Sequence, residues 1–405
     1  MSYPSNWTRT KFCEIAKRKS VRINNPKESG YERYVGLEHL DSGELVVKRW
    51  GSSNDVSSSM QLFSKNDILF ARRNTYLRRV SVALFDGVCS GDIIVIEPIL
   101  KNIVDGFLPI FMQFEEIENR IIAWSAGAFS KRVKWKQLGD FEVWLPPKEE
   151  QKKIVDIIWS IQFNQEKTER LIQVSDKLKN GLLEDLLTKG IGHKEFKKTE
   201  LGLIPKEWEI LPFSKGILVN PSRKLKVGSE YTKVEMADID EWNPRIRHFE
   251  KKLYNGGGSK FRNGDILLAR ITPCLENGKT VFVDILEEDE CGFGSTEFIV
   301  LSGREGLTLS KFVYYLCTSS TFRQLAIDSM TGTTGRQRVP NDLFDAIKIP
   351  LPPISEQRKI VNVLDNFTAF STEYNSLLNN LKKLKKKITN SFLSGELLIP
   401  EEAPN

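Results

Sequence analysis

Two short stretches of this chain contain residue types that catalyse reactions elsewhere, and both lack part of the pattern that the chemistry needs. Asn220-Pro221-Ser222-Arg223 begins like the Asn/Asp-Pro-Pro-aromatic motif of adenine methyltransferases, but the second proline and the aromatic ring are missing. Gly278-Lys279-Thr280 matches the end of a phosphate-binding loop, but Pro273 stands where that loop needs its first glycine. Neither stretch predicts catalysis by this chain.

The histidines and cysteines predict no metal site. His39, His193 and His248 lie far apart, without cysteines or carboxylates at ligand spacing. The five cysteines contain no C-x-x-C pair, which is typical of free thiols in a reducing compartment. No apolar run is long enough to span a bilayer, and the first residues do not resemble a secretory signal. We therefore expect a cytoplasmic protein.

Arginines cluster after a strand-like run and in short loops. Arginine binds phosphate or grips a guanine edge with two hydrogen bonds, and a glycine-rich loop lets the backbone approach closely. The alternative is ordinary surface charge at a strand end or in a turn. The candidate DNA-binding residues are Arg72, Arg73, Tyr76, Arg78, Lys131, Arg132, Arg270, Thr333, Arg336, Gln337 and Arg338.

The charge of the whole chain permits nucleic acid binding without requiring it. The formal net charge is +6. Residues 1–147 contain 21 Lys and Arg against 17 Asp and Glu, whereas residues 199–350 contain 20 against 21. A DNA-binding face on the second region must therefore be local. A basic run at residues 382–387 is predicted to be a solvated helix face, with phosphate contact as the alternative.

The strongest signal is an internal repeat with an offset near 206 residues. LPPKEEQKKIVDII at residues 145–158 recurs as LPPISEQRKIVNVL at residues 351–364. KNDILFAR, ending at Arg72, recurs as NGDILLAR, ending at Arg270. The order of the repeated pieces is kept, so the chain contains two copies of a domain with its tail.

Each copy begins with short β-branched and aromatic runs between turn residues, which predict an α/β domain with a mixed or antiparallel sheet. Each then continues, after two prolines, into one long helix with apolar residues three and four apart. A helix over residues 149–188 would be about 60 Å long, and its apolar stripe needs a partner helix. The chain order makes the two helices antiparallel and relates the two domains by a pseudo-two-fold axis.

The chain resembles the specificity subunits of type I restriction–modification systems. The resemblance covers essentially the whole chain. It is carried by the paired LPP-x-x-EQ helices, by the helix end LKNGLLEDLLTKG and by the following segment FKKTELGLIPKEW.

The resemblance implies a domain layout and a division of labour. Target-recognition domains at residues 1–144 and 199–350 each read one half of a split, asymmetric DNA site. Helical regions at residues 145–198 and 351–405 set the gap and dock two modification subunits. Those subunits use S-adenosylmethionine to methylate adenine at N6, and restriction subunits can add ATP- and magnesium-dependent cleavage.

This chain is then expected to be non-catalytic, with no cofactor of its own. One alternative is a self-sufficient nuclease or methyltransferase, against which the missing motifs argue, and the other is a coiled-coil scaffold that binds proteins without reading DNA.

Overall fold

The computed structural model describes residues 3–126, 132–241, 245–333 and 335–397. It divides into two compact units. Unit 1 comprises Met1–Arg170 and Asn375–Asn405, and unit 2 comprises Leu171–Tyr374.

Unit 1 contains two larger sheets and a two-stranded ladder. One sheet has the strand order β2-β10-β7-β8, the other β3-β6-β9-β4-β5, and β1 pairs with β11. The strands are β1 Thr8–Lys11, β2 Ala16–Lys19, β3 Arg22–Ile23, β4 Arg33–Val35, β5 Gly51–Ser52, β6 Met60–Phe63, β7 Ile68–Ala71, β8 Val80–Val82, β9 Gly87–Cys89, β10 Ile93–Pro98 and β11 Glu142–Leu145. The helices are α1 Phe12–Ile15, α2 Phe107–Met112, α3 Glu115–Ala126, α4 Trp135–Gly139 and the start of the long helix α5 Lys148–Thr188.

Unit 2 repeats this plan. Its sheets have the orders β15-β22-β19-β20 and β17-β16-β21-β18, with the ladders β14-β23 and β12-β13. The strands are β12 Phe196–Thr199, β13 Gly202–Pro205, β14 Glu209–Pro212, β15 Ile217–Val219, β16 Glu230–Val234, β17 Glu250–Leu253, β18 Ser259–Arg262, β19 Ile266–Ala269, β20 Thr280–Phe282, β21 Cys291–Gly294, β22 Phe298–Gly303 and β23 Lys348–Leu351. The helices are the end of α5, then α6 Phe213–Gly216, α7 Ser310–Thr318, α8 Ser320–Asp328, α9 Leu343–Ala346 and the start of the long helix α10 Ile354–Leu393, whose end belongs to unit 1.

The repeat in the sequence is therefore a repeat in topology. The order β2-β10-β7-β8 of unit 1 matches β15-β22-β19-β20 of unit 2 strand for strand. Each second sheet contains one parallel pair, β4 with β9 and β16 with β21, among antiparallel ones. The predicted α/β class with mixed sheets is confirmed.

The central strand β7 explains why its sequence is apolar at every position. Ile68 and Phe70 face the core that includes α2 and α5, whereas Leu69 and Ala71 face the core of the second sheet. In unit 2, Ile266 and Leu268 of β19 face one core and Leu267 faces the other. A strand that is buried on both faces shows no alternation of apolar and polar residues.

The repeated glutamine of the LPP-x-x-EQ segments links the start of each long helix to its domain by hydrogen bonds. The Gln151 side chain donates to Pro146 O at 2.9 Å and accepts from Val104 N at 2.9 Å. Gln357 makes the corresponding bonds with Pro352 O and Leu309 N, both at 2.9 Å. Both glutamines are buried, so the amide supplies partners to backbone groups that water cannot reach.

The preceding glutamate in each segment holds a tryptophan. Trp7 Nε1 donates to Glu150 at 3.2 Å, and Trp208 Nε1 donates to Glu356 at 2.9 Å. At their other ends, both long helices are followed by a left-handed glycine, Gly190 with φ 65° and Gly395 with φ 76°, a common way for a helix to end.

The long helices pair in antiparallel fashion within each unit. In unit 1, Ile154 and Ile158 of α5 share a core with Phe392 of α10. In unit 2, Leu183 and Leu187 of α5 share a core with Ile360 of α10. The early part of one helix thus contacts the late part of the other, as predicted.

The prediction that the apolar stripe of each long helix is covered is wrong at several positions. Leu171, Leu178, Leu377 and Leu384 remain 44 to 54 % exposed. Lys385, which was expected on a solvated face, is buried instead. An apolar pattern cannot identify a buried lysine, because a lysine is buried where other segments supply hydrogen-bond partners. Gly43 and Gln162 supply them for Lys385.

Candidate nucleic-acid interface

Three segments meet where β7 ends in unit 1. Arg72 follows the strand directly; its N–H donates to Asp92 O at 3.0 Å, and its carbonyl accepts from Val133 N at 2.9 Å. Arg73 forms an isolated antiparallel bridge with Arg132. The backbone therefore brings together candidates that lie about 60 residues apart in sequence.

The Asp92 carboxylate organises two of these arginines. Arg132 Nε lies 2.7 Å from Asp92 Oδ1, and Arg73 Nη1 lies 3.6 Å from Asp92 Oδ2. Both arginine side chains are about half exposed, at 46 % and 54 %. Exposed ion pairs contribute little stability, so this arrangement orients the guanidinium groups more than it holds the fold together.

Arg72 itself is half-buried among like charges. Burial lowers the pKa of Arg72, and the nearby Arg18 and Arg132 lower it further, while Asp92 opposes the shift. Its Nε is buried and has no hydrogen-bond partner among the described residues. Arg18 lies on β2, next to β10 in the same sheet. We call Arg18, Arg72, Arg73, Asp92 and Arg132 the first strand-end cluster.

Unit 2 builds the same arrangement where β19 ends. Arg270 N donates to Glu297 O at 3.0 Å, and Arg270 O accepts from Val339 N at 2.8 Å. Arg338 bridges to Ile271 and binds the Glu297 carboxylate through Nε at 3.0 Å and Nη2 at 2.6 Å. These bonds from Arg338 are the main cause that lowers the pKa of Glu297.

The second strand-end cluster consists of Arg270, Glu297 and Arg338. It has two cations against four in the first, because Ile271 occupies the place of Arg73 and Val219 of β15 occupies the place of Arg18. Arg270 also donates from Nη2 to Val339 O at 2.6 Å.

The loop that leads to Arg338 exposes further candidates. Arg336 N donates to Thr333 O at 2.9 Å and closes a turn, and both side chains are exposed. Gln337 is half-buried, and its carbonyl accepts from Thr272 N at 3.0 Å. Gly335 has a φ of 81°, a conformation that glycine adopts without strain.

Tyr76 and Arg78 lie apart from the first cluster, on the 3-10 turn Thr75–Leu77 and just after it. Tyr76 is 65 % exposed. Arg78 contacts Glu118 at 3.0 Å and Asn119 at 3.1 Å, both on α3. Burial raises the pKa of Glu118 to about 7, against the opposing effect of Arg78. Arg78 thus connects the 3-10 turn to α3. The remaining candidate, Lys131, lies outside the described residues.

The sequence reasoning missed Arg18, Asp92 and Glu297. The two acidic residues were visible in the repeat, because Ser90-Gly-Asp and Ser295-Thr-Glu occupy corresponding positions. In both copies the serine hydroxyl accepts the N–H of the acidic residue, at 3.3 and 3.2 Å. Arg18 has no such signal, because its place depends on the pairing of β2 with β10.

The two stretches that resembled catalytic motifs have structural contacts. Arg223 pairs with the buried Asp265 at 3.0 Å, and Lys279 donates to Met236 O at 3.0 Å. Within the part of the chain that the structure describes, no group of His, Cys, Asp or Glu is arranged to hold a metal ion. Over the same residues, no helix has the length and apolar character needed to cross a membrane.

The family model for the type I restriction modification DNA specificity domain matches residues 5–174 and 250–386, which is more than half of the chain. The chain belongs to this family. It is a type I specificity subunit with DNA target-recognition domains.

Two relatives are named as specificity subunits, and one solved structure shares the fold. The MjaVIII specificity subunit of Methanocaldococcus jannaschii is 25 % identical over 98 % of this chain and 94 % of its own length. The putative MjaX specificity subunit of the same organism is 25 % identical, with 96 % and 92 % covered. The S subunit from M. genitalium has a TM-score of 0.57 at 13 % identity, covering 100 % of this chain and 99 % of that chain, which shows the shared fold.

Proposed function

We propose that this chain is the non-catalytic DNA-reading subunit of a type I complex, and that each strand-end cluster contacts one half of a bipartite site. The observation that carries the proposal is the recurrence of one arrangement in both units. In each, the arginine after a central strand makes backbone hydrogen bonds to an acidic residue before the neighbouring strand and to a distant loop, and the carboxylate of that acidic residue binds an arginine of the loop. The two clusters differ in composition, so the two half-sites should differ in sequence.

The exposed arginines suit DNA because they already point in fixed directions. An arginine that makes two hydrogen bonds to guanine must hold its guanidinium plane in a fixed orientation. A neighbouring carboxylate fixes this orientation, while it cancels part of the positive charge. The first cluster holds four arginines and one aspartate, which gives unit 1 a local positive field. Arg336, Thr333 and Gln337 extend the second cluster along its loop.

The partners supply the chemistry in this proposal. Residues 1–144 and 199–350 are the reading domains, and the helical regions 145–198 and 351–405 set the gap and dock two modification subunits. Those subunits bring S-adenosylmethionine and methylate adenine at N6. Restriction subunits, where present, bring ATP and magnesium and cut the DNA. We place the assembled complex in the cytoplasm.

The test is methylation mapping of cells that carry the chain with its modification subunits, before and after substitution of Arg72 or Arg336. We expect one bipartite motif for the wild type, relaxed at one half by each variant. A scaffold without DNA readout would leave the methylated motif of the partners unchanged when this chain is removed.

A further inference from the structure

A set of charged and amide side chains lies inside unit 1, where the recognition domain meets both long helices; it is buried at its centre and exposed at Lys382. We call it the polar network. Its members are Glu44, Lys48, Gln162, Glu169, Lys382 and Lys385. Gln162, Lys385 and Glu44 are only 1, 6 and 8 % exposed.

Lys385 lies at the centre of this network. Its Nζ donates to Gln162 Oε1 of α5 at 2.8 Å and to Gly43 O of the recognition domain at 2.9 Å. The segment that contains Gly43 is fixed to the first sheet, because Val47 N donates to Val82 O at 3.0 Å. One ammonium group on α10 thus holds the other helix and the domain together.

The acidic members complete the link through the same three elements. Lys48 Nζ of the domain lies 2.8 Å from Glu44 and 2.6 Å from Glu169 of α5. Lys382 of α10 lies 3.6 Å from Glu44 and 3.4 Å from Glu169. A shift of either helix along the other would separate several of these pairs at once.

Such a network is poorly explained by stability alone. Removing charges from water costs free energy, and replacing a buried ion pair with apolar residues of similar size is often neutral or stabilising. Leaving a buried charge unpaired, however, is strongly unfavourable. A buried polar group in a helix pair therefore acts mainly against wrong registers, in which it would lose its partners.

The corresponding part of unit 2 is built differently. Lys179, which lies 206 residues before Lys385, is half-buried above the Tyr315 ring, with Nζ 6.0 Å from the ring centroid. Thr368 occupies the place of Gln162 and donates to Leu364 O of its own helix at 3.0 Å. The lysine is thus present in both copies of the repeat, whereas the described residues around Lys179 make different contacts from those around Lys385.

We propose that the polar network, with Lys385 at its centre, is a positioning device that fixes how recognition domain 1 sits on the two helices, and so helps determine which gap length the complex accepts. The link between the polar network and the gap length rests on the proposed function. The positioning role does not, because it concerns contacts inside unit 1.

Two measurements on the complex assembled with modification subunits test this. The first is the distance distribution between spin labels carried by unnatural amino acids at the exposed positions Asn54 and Lys387. The second is binding to DNAs in which the same two half-sites are separated by the preferred gap or by one base pair more or fewer. The variants are Lys385→Met, the milder Glu169→Gln in case the first does not fold, and the control Lys383→Met, an exposed lysine on the same helix.

We expect Lys385→Met and Glu169→Gln to broaden the label distances. The preference for the best gap over its neighbours should fall by about tenfold, the loss of one coupled interaction. Half-site sequence preference should stay unchanged, and Lys383→Met should behave as wild type. Unchanged label distances in a folded Glu169→Gln complex would overturn the positioning role. Broadened distances with an unchanged gap preference would overturn its link to spacing, whereas a wild type that prefers no bipartite site would contradict the proposed function instead.

Discussion

Arg72 differs from the other arginines of the first strand-end cluster in its partners. Arg73 and Arg132 both contact Asp92, whereas Arg72 forms no ion pair among the described residues and is held by its backbone bonds. Its half-buried guanidinium is therefore not committed to a carboxylate among the described residues, and its buried Nε has no hydrogen-bond partner there.

Replacing Arg72 with alanine should weaken specific binding by about 1–3 kcal/mol and relax base choice at one position of the first half-site. The measurement is binding by the assembled complex to a panel of half-site variants over a salt series. Arg9→Ala is the control, since Arg9 is an exposed arginine in the separate β1–β11 ladder. Equal weakening on every sequence, with a salt slope lower by about one, would instead identify a phosphate contact.

Asp92→Asn tests the carboxylate that the sequence reasoning missed. Arg73 and Arg132 would lose their shared partner, and the cluster would gain one net positive charge. We expect tighter binding to unrelated DNA, with a salt slope steeper by up to about one, and weaker discrimination at the first half-site. Glu97→Gln is the matched control, because it removes the same charge from β10 at an exposed pair with Lys17. Equal effects of the two variants would show that Asp92 acts only through net charge.

At the scale of elements, the sequence predicted what local periodicity and turns encode. Residues 149–188 were predicted as a helix, and α5 runs from Lys148 to Thr188. The periodicity did not predict which face of each long helix, α5 or α10, is covered. Leu171 and Leu178 are exposed, while Lys385 is buried, because burial depends on partners contributed by distant segments such as Gly43.

Burial lowers the pKa of Lys385 to about 8, which makes unit 1 sensitive to pH. The unfolded chain binds this proton more tightly than the folded one, so stability should rise as pH increases from about 8 towards the ordinary lysine value. Between about pH 7 and about pH 9.5 the gain for this group is about 2 kcal/mol. The measurement is urea unfolding of wild type and Lys385→Met over that range, with the difference in unfolding free energy as the readout. A constant difference would mean that Lys385 keeps its ordinary pKa in the folded state.

The proposed spacer role of the helices predicts a graded response to length. One heptad inserted after Arg170 in α5 and one after Tyr374 in α10 keeps the pairing and lengthens both by about 10 Å. We expect a preferred gap longer by about three base pairs, at ~3.4 Å per pair, with unchanged half-sites. Methylation mapping of cells with the altered chain measures both. Altered half-site sequences at an unchanged gap would show that the helices read bases.

At the scale of the molecule, two units with the same topology should act on DNA as independent readers. Arg72→Ala and Arg336→Ala change different units, and the effects of substitutions that share no partners usually add within about 0.5 kcal/mol. Binding by the wild type, both single variants and the double variant, on DNAs altered in one half-site at a time, gives the coupling. A coupling energy well above that value would indicate that the two domains do not read separately.

The repeat made the two-domain organisation predictable, while the clusters were predictable only in part. Arg72 and Arg132 were candidates by residue type, and Arg72 also by its match with Arg270 in the repeat. Their joining through Asp92 depends on three backbone segments that meet only in the folded sheet. Arg78 shows the converse: an arginine beside the others in sequence can be committed to a helix such as α3.

The identical fastening at the start of each long helix has a consequence for the gene. Gln151 and Gln357 make the same two bonds, and Glu150 and Glu356 hold the same type of ring. A DNA crossover within the stretch that encodes LPP-x-x-EQ would exchange one recognition domain for another while leaving the joint chemically intact. We therefore expect recombination there to exchange the preceding segment without loss of this joint, whereas the contacts of Lys385 would depend on the incoming domain.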